Sequence, residues 1–140
     1  MARTVAQQAA RDAGRASEFI FDSAGTHAQR RGELADVRTR RLLAERHYIV
    51  DNTLSRQVRS ADFERFDLIL AMDRSNLAEL AQRCPEPLRG KLRLLLDFAP
   101  GLGVSEVPDP YYGNVAGFER VLELCEGAAK GLLLALPRPG

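Results

Sequence analysis

The sequence predicts an α/β domain built on a parallel sheet, and two observations carry that expectation. Segments with helical periodicity alternate with short extended ones along the 140 residues. Phe66 to Met72, FDLILAM, is a nearly continuous apolar run, the pattern of a strand buried on both faces.

Ala2 to Ala13 reads as a helix, because Val5, Ala9 and Ala13 recur on one face, no proline interrupts them and Gly14 supplies a stop. Glu18 to Thr26, EFIFDSAGT, is aromatic and β-branched before Ser-Ala-Gly, which predicts a strand running into a tight loop. Leu34 to Tyr48 is helical, with Val37, Leu42, Leu43 and Ala44 as its apolar stripe. After the Phe66–Met72 strand, Asp73 is a good N-cap for a helix over Asp73 to Cys84. PEPLRG is a loop, Lys91 to Ala99 a further strand, and PGLGVSEVPDPYYG a long loop. Asn114 then caps a final helix that runs to about Leu136. No repeat, low-complexity stretch or linker divides the chain, so one domain over residues 1–140 is expected. Three strands are few for a parallel sheet, and the chain opens on a helix with no strand before it.

Composition excludes several classes of function. Hydrophobic residues make up 45% and charged residues 28%, ordinary values for a globular protein. A net charge of +1 creates no global field to attract nucleic acid or an acidic membrane. No apolar run approaches the roughly 20 residues that span a bilayer, and MARTVAQQAARDAGR lacks the apolar centre of a secretion signal, which makes the cytoplasm the default location. Cys84 and Cys125 stand far apart, and His27 and His47 are the only histidines, so no metal cluster is expected. Both histidines read as surface or helix-end residues.

The stretch VPDPYYGN, Val107 to Asn114, concentrates the chemistry. Asp109 sits between two prolines; Pro110 fixes its own φ and restricts Asp109 to extended conformations. Aspartate and proline are both turn residues, so a rigid surface turn is the plain reading. The loop is about 14 residues long, beyond the range usual for a connection without structure of its own, and such loops are often functional. Tyr111 and Tyr112 beside the acid could form flat walls for an aromatic substrate.

VPDPYYGNVAGFERVLELCEGAAKGLL closely resembles the C-terminal end of low-molecular-weight protein tyrosine phosphatases. FDSAGTHA, SRQVRSADFERFDLILAMDRSNLAEL and KLRLLLDFAPG resemble that family's other segments, in the family's order, so the resemblance covers the whole chain from Met1. It implies a three-layer αβα fold with a parallel sheet in the order 2-1-3-4. It also implies hydrolysis of phosphotyrosine by a thiolate that attacks phosphorus and forms a phosphocysteine intermediate. Backbone amides and an arginine hold the equatorial oxygens. Asp109 would protonate the departing phenol oxygen and then help activate water, and Tyr111 and Tyr112 would line the pocket. Ser23 matches a serine that hydrogen-bonds the phosphate loop, and equally reads as a turn serine; Asp73 matches an aspartate near the active site, and in any case caps its helix. Arg56 and Gln57 match a motif of mainly structural role. No metal or cofactor is implied; phosphotyrosine proteins would be the substrates and bacterial tyrosine kinases plausible partners.

The family's nucleophile and arginine lie in a C-x5-R-[ST] loop after the first strand, and these 140 residues contain no such loop. Six positions after Cys84 stands Gly90, and six after Cys125 stands Gly131. Arg89 lies five after Cys84, but CPEPLR contains two prolines, each of which removes an amide donor. Cys84 reads as a helix-end residue and Cys125 as core. Met1 aligns just past the family's phosphate loop, so the first strand and the loop are expected to be lacking here, through a start codon set too late or a truncation. The retained DPYY loop favours these over an evolved pseudoenzyme. The chain as given is then expected to be inactive, with exposed sheet edges that invite self-association. Two other readings remain. One is an arsenate reductase on the same fold, which adds a later redox pair of cysteines. The other is a non-catalytic phosphotyrosine-signalling protein that offers Tyr111 and Tyr112 to a kinase.

Overall fold

A computed structural model describes residues 1–25, 37–49, 56–108 and 115–136. Helix α1 spans Ala2–Asp12 and ends in a Schellman turn: Gly14 takes φ 71°, its N–H donates to Arg11 O, and Arg15 N–H donates to Ala10 O. Helix α2, Val37–Glu45, ends the same way with a histidine in the glycine position. His47 takes φ 66° and donates to Ala44 O, while Tyr48 N–H donates to Leu43 O. His47 is therefore a helix-end residue, as its position in the sequence suggests; His27 lies outside the described residues.

Helix α3, Ser60–Arg65, leads into strand β1, Ile69–Ala71. Helix α4, Arg74–Arg83, then leads through a 3₁₀ turn at Glu86–Lys91 to strand β2, Leu92–Leu94. The strands pair in parallel with Ile69 opposite Leu92 and Ala71 opposite Leu94. Helix α5, Val115–Ala135, closes the chain. Side chains alternate across the sheet. Leu70 and Met72 pack against the main core, formed by Val5 of α1, Leu42 and Leu43 of α2, Leu95, Leu96 and the apolar face of α5 from Phe118 to Ala129. Ile69, Ala71, Leu92 and Leu94 pack the other way, with Phe63 of α3 and Leu77 and Leu80 of α4. Helices thus cover both faces of a parallel sheet, the expected αβα layering.

The extended segments are shorter than the sequence suggests. The strand expected over residues 91–99 stops at Leu94, because the Asp97 carboxylate accepts from the Leu94 N–H and Leu95–Phe98 wind into a 3₁₀ turn. The strand expected over residues 66–72 narrows to Ile69–Ala71, since Phe66 is consumed as the C-cap of α3. Ala16–Glu18 form a 3₁₀ turn, so the strand expected over residues 18–26 does not form as a ladder. Phe19 is extended, and among the described residues the segment's one bridge pairs Gly25 with Gln57. Extended backbone becomes a strand only against a neighbour, and among the described residues none runs alongside residues 19–24. Phe19 and Phe21 instead stack on each other at 5.4 Å, Arg3 donates to Phe21 O, and Ile20 is left 79% exposed.

Arg15, 5% exposed, ties the two ends of the described chain together. Its guanidinium donates to Leu133 O at 2.6 Å and Leu136 O at 3.0 Å, and pairs with Glu18 at 2.9 Å. The carbonyls left over at the end of α5 thus meet a cation at the negative end of the helix dipole.

Candidate active site

In a parallel sheet, the carboxyl ends of the strands point at one edge of the layer, where ligands of open α/β folds bind. Asp73 stands there, two residues after β1 ends. Its carboxylate accepts from Asn76 N–H at 2.7 Å, which makes it the N-cap of α4. The long loop returns to the same edge. Val107 N–H donates to Met72 O at 2.8 Å, its side chain is buried, and Glu106 Oε2 accepts from Arg74 N–H at 2.7 Å. The base of the loop that carries Asp109 is therefore docked beside Asp73. Asp109, Tyr111, Tyr112 and Asn114 themselves lie outside the described residues.

Ser23 is held from a different direction. It is exposed, and its N–H donates to the Asp22 carboxylate at 2.8 Å. Asp22 in turn accepts from Arg56 Nη2 at 3.1 Å, and Arg56 makes a bidentate contact with Asp62 at 2.9 and 3.1 Å. Gly25 N–H donates to Arg56 O and Val58 N–H to Gly25 O. Arg56 and Gln57 thus have the structural role expected of them: they fasten the segment from Asp22 to Gly25 to the start of α3. Asp22 and Asp62 are not evident as partners in sequence, where Arg56 lies 34 residues from one and 6 from the other.

Partial burial works against the Asp62 charge, but the hydrogen bonds from Arg56 and Arg59 N–H outweigh it and hold the carboxyl below its ordinary range; Arg56 is pushed up by the same contact. A depressed carboxyl pKa stabilises the fold above the unfolded-state value and ceases to do so as pH falls through the folded one. Arg56→Ala is therefore expected to cost about 2 kcal/mol near pH 7, the worth of hydrogen bonds to a charged group. Urea melts from pH 7 to 3 check this: the penalty should shrink as pH falls below the ordinary carboxylate range toward the lowered Asp62 pKa. A penalty independent of pH would show that the ion pair is not its source.

Neither cysteine has the surroundings of a nucleophile. Burial pushes the Cys125 thiol up to about 11, with the N-terminal ammonium opposing the shift and Glu126 adding to it, so it carries no useful thiolate at neutral pH. Cys84 is buried where α4 ends and its Sγ contacts Pro85 O at 3.5 Å. The two lie in the separate cores on opposite faces of the sheet. Among the described residues no three His, Cys, Asp or Glu side chains converge as metal ligands, and no helix is long and apolar enough to cross a membrane.

The family model for low molecular weight phosphotyrosine protein phosphatase matches residues 1–139. A low molecular weight protein-tyrosine-phosphatase of Streptomyces coelicolor is 41% identical over 139 residues, covering 97% of this chain and 84% of that one. The low molecular weight phosphotyrosine protein phosphatase of Homo sapiens is 31% identical, over 95% of this chain and 84% of its own. The crystal structure of a protein tyrosine phosphatase from Entamoeba histolytica superposes with a TM-score of 0.91 at 41% identity, over 95% of this chain and 85% of that one. YfkJ from Bacillus subtilis superposes at 0.89 with 30% identity, over 96% and 83%. With the αβα layering and Glu106 and Val107 docked at the carboxyl end of β1, these matches establish that the chain belongs to the low-molecular-weight phosphotyrosine protein phosphatase family.

Proposed function

We propose that residues 1–140 form one domain that supplies the acid half of a phosphotyrosine phosphatase, and that the thiolate half comes from a C-x5-R segment these residues do not contain. The observation that supports this most directly is the docking of Glu106 and Val107, just before Asp109, against Arg74 and Met72, at the edge of the sheet where ligands of open α/β folds bind. In the first step a cysteine thiolate attacks phosphorus, the bond from phosphorus to the phenol oxygen breaks, and Asp109 gives its proton to that oxygen. In the second, the Asp109 carboxylate takes a proton from water, the water oxygen attacks phosphorus, and phosphate leaves as the thiolate is restored. Tyr111 and Tyr112 would flank the substrate ring. Ser23 and Asp73 would support the phosphate loop, each from an anchored position: Ser23 through Asp22 and Arg56, Asp73 as the cap of α4.

On this reading the substrates are phosphotyrosine proteins, with tyrosine kinases of bacterial type as partners in the sense that they supply the substrate. A cytoplasmic location suits thiolate chemistry and two free cysteines. Association through the edges of β1 and of residues 19–24 that pair with no strand among the described residues belongs to the same proposal. An arsenate reductase gains no support, because Cys84 and Cys125 are buried on opposite sides of the sheet and cannot serve as a redox pair.

The test is turnover of p-nitrophenyl phosphate without added metal. The 140-residue chain is expected to show no rate above buffer, and a chain extended at its N-terminus by a strand and a C-x5-R loop is expected to turn over. Activity in the shorter chain would overturn the division into two halves; inactivity of a folded extended chain would overturn the phosphatase reading.

A further inference from the structure

The Asp109 loop has an anchor to which the chemistry above assigns no role. Glu106 lies on the exposed side of the loop, yet its carboxylate reaches back to the first free amide of α4, the Arg74 N–H, at 2.7 Å. That amide is one of the four a helix N-terminus leaves unpaired. Asp73 satisfies another, the Asn76 N–H, so the two carboxylates divide the first turn of α4 between them. The adjacent residue completes the clamp, through the Val107 N–H to Met72 O at 2.8 Å and a side chain that is 5% exposed. A 3₁₀ turn at Pro100–Leu102 opens the loop, and Glu106 and Val107 are its next hydrogen-bonded anchor before Asp109. Asp109 follows Val107 by two residues, and two residues of extended chain span at most about 7 Å. Pro108 and Pro110 on either side stiffen that short span.

We propose that Glu106 is a positioning residue for Asp109: by holding the loop base on the N-terminus of α4 it sets where the proton donor stands relative to the leaving oxygen. The inference rests on the reading of Asp109 as general acid. A carboxylate is the side chain suited to this task, since it accepts from a backbone amide at the positive end of the helix dipole. Misplacing a catalytic group by about 1 Å can cost on the order of 100-fold. The loss should depend on the leaving group, because a good leaving group departs without help and a poor one needs the proton.

The experiment has two arms. In the 140-residue chain, Glu106→Ala is expected to speed hydrogen exchange at the Arg74 and Val107 amides roughly fivefold, the worth of one cap, while the Asn76 amide stays protected by Asp73. Unchanged exchange at Val107 overturns the clamp. In the chain extended with a C-x5-R loop, kcat/KM is measured on aryl phosphates of graded leaving-group pKa. Glu106→Ala is expected to lose roughly 10- to 100-fold on phenyl phosphate and little on dinitrophenyl phosphate, and Glu106→Gln, which keeps an oxygen acceptor, to recover most of it. An equal loss on all substrates marks a merely structural residue and overturns the proposal. Asp109→Asn in the same series tells two failures apart. If Asp109→Asn gives no steeper leaving-group dependence, the acid assignment itself falls. If Asp109→Asn is steep and Glu106→Ala is flat, only the positioning role falls.

Discussion

Asp109→Asn, in a chain that carries the thiolate loop, is expected to lower kcat/KM on phenyl phosphate by about 100- to 10,000-fold, the usual worth of a general acid. Asparagine matches aspartate in shape and has no proton to give, so the loop keeps its form while the phenoxide must leave unprotonated. Two signatures separate this from general damage. The loss should nearly vanish on dinitrophenyl phosphate. The alkaline limb of the pH profile for kcat/KM, which reports loss of the acid's proton, should disappear from the variant. The site rests on rigid supports, since Val107 is buried in the main core and hydrogen-bonded to the end of β1. The substitution is therefore not expected to change Tm, and a variant that melts early would disqualify the comparison.

Gly131→Ala is expected to be the most damaging small substitution in the scaffold. Helix α5 runs so close to the 3₁₀ turn at Leu95–Phe98 that a Cβ on Gly131 would overlap Phe98 O and stand 2.8 Å from Phe98 C. Both are backbone atoms and cannot rotate away. Either α5 or the turn must shift, and both contribute to the main core through Leu95, Leu96, Ala128 and Ala129. In an ordinary helix interior, glycine to alanine stabilises by about 1 kcal/mol. Here overpacking reverses the sign, with an expected net loss of about 3 kcal/mol and a Tm lower by roughly 6–12 °C. Gly127→Ala, one turn away, is the control. Its Cβ would stand 2.9 Å from Leu102 Cδ1, the end of a side chain that is 39% exposed and free to swing out. That variant should lie within about 1 kcal/mol of the parent. Thermal melts of the two decide the matter: a Gly131→Ala protein as stable as Gly127→Ala would show that α5 does not pack on the Phe98 carbonyl.

Features legible in the sequence are those whose causes lie within a few residues. Gly14 ends α1 because only a residue tolerant of positive φ closes a Schellman turn, and Asp73 starts α4 because its carboxylate reaches an amide three residues on. The apolar run through Ile69–Ala71 marks a strand packed on both faces, and Cys125 within an apolar helix marks a core residue. Where the sequence misleads, a distant partner or a local competitor decides. Helix α3 has only six residues in a polar stretch; what holds it is Asp62 against Arg56 and Lys91 Nζ on the Phe63 and Glu64 carbonyls, 28 and 27 residues away. The segment from Lys91 to Ala99 has the composition of a long strand, and the Asp97 side chain ends it after Leu94.

The candidate site divides in the same way. Asp109, Tyr111, Tyr112, Ser23 and Asp73 stand in motifs, and chemistry at a site demands particular side chains, so the sequence alone determined the family and the αβα class and named Asp109 as the candidate acid. Which supports hold Ser23 and the residues just before Asp109 was decided only in three dimensions. Glu106 meets Arg74 across 32 residues and Asp22 meets Arg56 across 34. No periodicity or propensity encodes such pairs, because they come together only when the sheet and its two helical layers have formed.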